Sequence, residues 1–259
     1  MVESAGVHST DPGGGYRSLV QNFWRILTGL ALVVLGFTIL SWAYLVAAGI
    51  NVTTPASRAQ LLTLPTSIPS IWNIVHPTTT ITWLAPFVVL LVQVFLTGGF
   101  YGTLVRANTG QAAGPGSFLL DAGRSFIRLF LWNVLWAGVS LLLSGIVQVF
   151  PEVHVTLLLL LLVARFLFLF VDLALVCERT VDAALRTALA TLFNHLLAML
   201  PYTVLLSFLT GLLLSVSASL QPTLVLLAGL LYALATTWIL HMVVARYLVF
   251  SDWRSRTQI

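Results

Sequence analysis

Six long apolar runs, parted by short polar links, order the chain: roughly 23–50, 81–105, 129–150, 155–177, 196–216 and 223–249. Each reaches the roughly 20 residues that a helix needs to cross a hydrocarbon core. None shows the period-two alternation over about ten residues that membrane barrels carry. The pattern predicts an all-α polytopic membrane protein with six transmembrane helices.

Three polar-and-apolar stretches precede the odd runs. Before the first, Arg17, Gln21 and Arg25 recur every four residues, with Leu19, Val20 and Phe23 between them. Before the third, Asp121, Arg124 and Arg128 share one helical face, and Phe118, Ala122, Phe126 and Leu129 share another. Before the fifth, Asp182 and Arg186 form an i,i+4 pair opposite Val181, Leu185, Leu189 and Leu192. Such segments are expected to lie in the headgroup plane as interfacial amphipathic helices. The chain thus divides into three units, each an interfacial helix followed by a transmembrane hairpin. Residues 1–15 are expected to be a disordered tail, 16–250 the membrane domain and 251–259 a second tail.

Charge supplies the orientation. All twelve basic residues are Arg, and only 8% of residues are charged, against about 25% in soluble domains. Ten of the twelve fall on one side: Arg17, Arg25, Arg106, Arg124, Arg128, Arg179, Arg186, Arg246, Arg254 and Arg256. The other side has Arg58, and Arg165 lies inside a run. The positive-inside rule then puts both termini in the cytoplasm. The Arg residues act as topology signals, so the net charge of +4 does not imply a nucleic-acid partner. Arg without Lys, with abundant Ala, Leu, Gly and Val, points to a prokaryotic plasma membrane. Cys177 is alone, which excludes an internal disulfide. The 51–80 loop holds Pro55, Pro65, Pro69 and Pro77, which forbid one long helix, and Trp72, which suits an interface. Trp24, Trp42, Trp83, Trp132 and Trp253 fall near run boundaries, as an aromatic belt requires, with Trp136 and Trp238 deeper.

The deepest charge lies in the stretch LLLLLLVARFLFLFVDLALVCER, residues 157–179. On a continuous helix, Arg165 and Asp172 project from nearly one face, roughly 10.5 Å apart along the axis. An unpaired Arg at mid-bilayer costs about 2.5–3.5 kcal/mol. Arg165 therefore faces the bundle or a polar cavity, as an anion binder or a structural cation. His241, at a depth like that of Asp172, is a candidate proton-relay partner for it. Gln93, Thr236, Thr237, Ser207 and Thr210 either line a cavity with Arg165 or tie helices together. The candidate substrate-binding set is Arg165, Asp172, His241 and Gln93. Gly98 and Gly102 form a small-xxx-small pair, which serves contacts within or between chains equally well. Pro86 and Pro201 read as kinks.

The junction LALVCERTVDAALRTALATL at 173–192, its counterpart GSFLLDAGRSFIRLF at 116–130 and the tail YLVFSDWRSR at 247–256 together resemble a group of six-span bacterial and archaeal membrane proteins of unknown function. The group is similar to the membrane domain ahead of some glycerophosphoryl diester phosphodiesterases. The resemblance implies the fold, but no catalytic residues, since the phosphodiesterase domain has no counterpart here. The residues show no G-x-S-x-G element, H-E-x-x-H zinc motif or Gly-rich phosphate loop. No catalytic residue, metal or cofactor is therefore expected. The expected role is non-enzymatic, assisting transport or membrane organisation. The alternative is a transporter or permease subunit for a small or lipid-like anionic molecule. Expected partners are membrane lipids, with a second copy or a transporter subunit.

Overall fold

The computed structural model describes residues 12–49, 84–168, 170–219 and 222–251. The side chains of 12–22, 84–86 and 213–226 and several between 137 and 169, Arg165 among them, lie outside the described residues, as does that of Thr210. So do the 51–80 loop with Trp72, and Trp83, Asp252, Trp253, Arg254 and Arg256.

Among the described residues every regular element is helical and none is a strand. The helices are α1 (Pro12–Ala47), α2 (Leu84–Thr109), α3 (Pro115–Val149), α4 (His154–Leu167), α5 (Val171–Cys177), α6 (Val181–Asn194), α7 (Leu196–Ser219) and α8 (Pro222–Phe250), with a short 3₁₀ turn at Pro151–Val153. Three stretches are long and apolar enough to cross a membrane: Phe23–Ala47, Phe87–Thr109 and Leu227–Phe250. The α6–α7 pair makes a fourth if its two bent halves count as one span.

Local chemistry explains several boundaries. At the end of α2, Gly110 takes φ +72, a left-handed conformation that glycine adopts at little cost. The Gln111 N–H then donates to the Arg106 carbonyl at 2.9 Å, closing the helix with the wrap-around bond that frees no carbonyl. Four residues later α3 starts with Pro115 in its first turn, where a missing N–H costs nothing. The Ser117 hydroxyl accepts from the Gly114 N–H at 2.9 Å, satisfying an amide at the helix start. At the start of α6 the Thr180 hydroxyl accepts from the Ala183 N–H at 3.3 Å.

The interfacial-helix expectation needs correction at two of its three places. Residues 12–22 and 115–128 are not separate helices: they run without a break into the apolar parts of α1 and α3, which are 36 and 35 residues long. No proline follows the first position of either stretch, so backbone bonding continues past the change in polarity despite the glycines. At the third place the stretch is a separate helix. There α6 meets α7 at 100°. The turn falls at His195, whose backbone N–H bonds back to the Leu192 carbonyl at 3.1 Å and whose ring stacks on Phe250 at 3.9 Å. The Asp182–Arg186 pair forms at 3.0 Å on the exposed side, while Ala184, Ala188, Thr191 and Leu192 face inward. So exposed an ion pair contributes at most about 0.5 kcal/mol.

The antiparallel α2–α3 hairpin is the most extensively packed pair. Helices α1 and α8 flank α2, while α5 lies against both α2 and α3. Leu30, Val34, Leu90, Phe100, Leu104, Leu129, Leu173 and Val244 are among the side chains closed off in one apolar core. The outside is as apolar as the inside: Leu40, Leu120 and Leu197 are 72%, 73% and 82% exposed. A water-facing surface does not carry large aliphatics at that density, whereas one facing acyl chains does.

Candidate functional site

The tightest contact in the molecule is the glycine row of α2. A Cβ on Gly98 would stand 2.3 Å from the Ser125 hydroxyl and 3.1 Å from the Ala122 Cα. One on Gly99 would meet the Phe118 ring at 2.5 Å, and one on Gly102 would meet the Asp121 Cβ at 2.4 Å. The small-residue pair therefore serves a contact within the chain, between α2 and the start of α3.

That closeness brings Asp121 to Arg106. The guanidinium grips the carboxylate with both prongs, Nε to Oδ2 at 2.6 Å and Nη2 to Oδ1 at 2.9 Å. Asp121, Arg124 and Arg128 thus do not act as one polar face. Asp121 turns to α2 and Arg124 stays exposed. Arg128 donates through Nη1 to the Glu178 carbonyl beyond the end of α5. Burial, and then the like charge of Arg124, holds the Arg128 guanidinium pKa below its ordinary value.

Of the four sequence candidates, Asp172, His241 and Gln93 have described side chains, and Asp172 and His241 do not pair. Arg165 lies in α4, two residues before that helix ends, and its side chain is outside the described residues. The apolar run is not one helix: α4 stops at Leu167, and α5 starts at Val171. The continuous helix on which Arg165 and Asp172 were expected to share a face is therefore interrupted. Phe168, in the break, meets Trp132 at 5.2 Å and Trp136 at 5.4 Å. Both indoles are buried, so Trp132 packs the interior and does not sit in an interfacial belt. Trp24 does stand outward.

Asp172 is fully buried, and neither carboxyl oxygen has a hydrogen-bond partner among the described residues. The His241–Asp172 relay is therefore not formed. His241 instead accepts at Nδ1 from the Asn108 amide at 3.1 Å, which leaves the ring proton on Nε2, and its ring meets Phe23 edge-on at 4.8 Å. Gln93 is buried on α2, where its backbone carbonyl accepts from the Thr97 hydroxyl at 2.8 Å. Thr237 bonds back to the Ala233 carbonyl at 2.7 Å, Thr236 is buried without a partner among the described residues, and Ser207 is exposed. Among the described residues, no three His, Cys, Asp or Glu side chains gather as a metal set.

The cavity that forms lies elsewhere. A groove of about 920 Å³ opens between α1 and the α2–α3 turn. Arg25, Ile26 and Val33 wall one side, Phe118 and Leu119 the other, and Thr103 and the 110–115 turn form its floor. Gly29 also lines it, with no atom within 4 Å of where its Cβ would be. The Thr103 hydroxyl, on a residue only 7% exposed, has no partner among the described residues. None of Asp172, His241 or Gln93 reaches this groove. Sequence reading counted Arg25 as a topology signal and did not single out Thr103. Their meeting depends on the turn that folds residues 110–115 back beside α1. Comparison of the chain with protein-family models, with characterised proteins and with solved structures gives no match.

Proposed function

We propose that the chain is a non-enzymatic, multi-pass protein of a prokaryotic plasma membrane. It has six spans, both termini lie in the cytoplasm, and it assists transport or membrane organisation. The observation that carries this reading is the outward apolar surface of helices long enough to cross a bilayer, Leu40, Leu231 and Val249 foremost. The interior polar groups support it in a second way. Arg106–Asp121, Arg128–Glu178 and Asn108–His241 each tie one helix or turn to another. Polar side chains in membrane bundles commonly serve that purpose. The Arg-rich links around 106–128 and 179–186 give the orientation.

Site-directed labelling tests the topology. With Cys177 replaced by Ser, single cysteines are placed by Ala112→Cys and Glu152→Cys. Intact cells are then treated with a membrane-impermeant maleimide. Glu152→Cys is expected to label and Ala112→Cys to label only after lysis; the reverse pattern would overturn the orientation.

The groove favours a second reading, a carrier for a lipid-like anion. Purified protein in vesicles that speeds the transbilayer movement of a fluorescent anionic lipid above protein-free vesicles would establish the carrier. Unchanged movement would leave the organising role.

A further inference from the structure

We infer that the groove between α1 and the α2–α3 turn holds one anionic phospholipid of the cytoplasmic leaflet, with its phosphodiester at Arg25 and one acyl chain along the apolar walls. The inference rests on the membrane topology proposed above and assigns that topology a ligand.

Three observations specify the occupant. The volume of about 920 Å³ lies within the range of small-molecule sites, and the walls at Ile26, Val33 and Phe118 suit a hydrocarbon chain. Arg25 and Thr103 supply donors beside the Gln111 amide. The Arg25 guanidinium has no ion-pair partner among the described residues and can grip a phosphate with two N–H groups. Thr103 lines the groove, and its hydroxyl, buried without a partner among the described residues, can donate to a phosphate or ester oxygen that reaches it. The 35-residue helix α3 begins at Pro115 on the groove floor and directs its positive end there. Among the described residues no acidic side chain lines the groove, and Asp121 is held by Arg106 on the neighbouring face. A zwitterionic headgroup would bring an ammonium with no carboxylate to meet it, so the charge balance selects a net anion.

Native mass spectrometry of the detergent-purified full chain tests the assignment. The probes are short-chain phosphatidylglycerol and phosphatidylcholine with the same acyl chains. Phosphatidylglycerol is expected to bind more tightly, and Arg25→Gln to weaken it about fivefold while leaving phosphatidylcholine unchanged. Gly29→Leu places a side chain in the open space and is expected to abolish binding of both. Arg186→Gln, far along the chain on the exposed face of α6, is expected to change neither. If Gly29→Leu fails to fold, Thr103→Val, close to isosteric, takes its place and is expected to weaken phosphatidylglycerol. Equal binding of the two lipids by the unaltered protein would overturn the inference, as would phosphatidylglycerol binding that survives Arg25→Gln. Displacement of the lipid by millimolar inorganic phosphate would show a bare anion site and overturn the lipid assignment. Equal lipid binding with the expected labelling pattern removes the lipid alone. Ala112→Cys labelled from outside removes the topology and the leaflet together.

Discussion

In the α2–α3 hairpin the polar groups answer one another. Arg106 meets Asp121 with two hydrogen bonds, Ser117 accepts at the helix start, and three glycines bring the backbones close enough for this to happen. The α4–α5 segment, with α5 packed on the same hairpin, is built differently. Its helix breaks within an apolar run, and just past the break it buries Asp172 with both oxygens unpartnered among the described residues. A buried polar group without a hydrogen bond costs about 1–3 kcal/mol, and a satisfied one about nothing. The hairpin is therefore the stabilising half of the pair, and the broken segment carries a charge-bearing group that the fold tolerates and does not need.

Substitutions sharpen or break that contrast. Gly98→Leu is expected to have the largest effect, because its Cβ alone collides with Ser125 and approaches the α3 backbone. Loss of about 3 kcal/mol or more, read as a lowered thermal melt in detergent, is expected; an unchanged melt would mean that the hairpin is not close-packed in solution. Arg106→Ala leaves a half-buried carboxylate without its cation and is expected to cost about 2 kcal/mol. Adding Asp121→Ala to it should recover part of that loss, and a double-mutant cycle measures the coupling. Asp172→Leu is expected to move in the opposite direction, raising the melt by about 1 kcal/mol as an unpartnered carboxyl gives way to a packed side chain. A clear loss of stability in Asp172→Leu would show that the carboxyl has a partner and would erase the contrast between the two regions.

The helical character of the chain, its apolar lengths and the 182–186 ion pair were legible because each depends on residues within about one turn of one another. The separate α6 was legible for the same reason. The break at 168–170 was not, because the local sequence LFLFV contains no glycine or proline, and no local rule ends a helix there. Its visible correlate is tertiary, the seating of Phe168 between Trp132 and Trp136 from α3. The glycine row announced a close contact but not its partner, since spacing says nothing about which helix fills the gap. The groove was invisible for a further reason: Arg25, Thr103 and Phe118 come from three helices, and only the turn at Gly110 brings them together. Arg165, the deepest charge of the sequence, has its side chain outside the described residues.

The continuity of α3 has a mechanical consequence. A helix of 35 residues is about 52 Å long, well beyond the roughly 30 Å thickness of a hydrocarbon core. The stretch from Pro115 to Leu129 is then a rigid arm of about 21 Å without a joint. The glycine row and the Arg106–Asp121 pair fasten the Pro115 end of that arm to α2. Phe118 and Leu119 ride on that end. Any change in the width of the groove against α1 would therefore have to move the α2–α3 hairpin as one body.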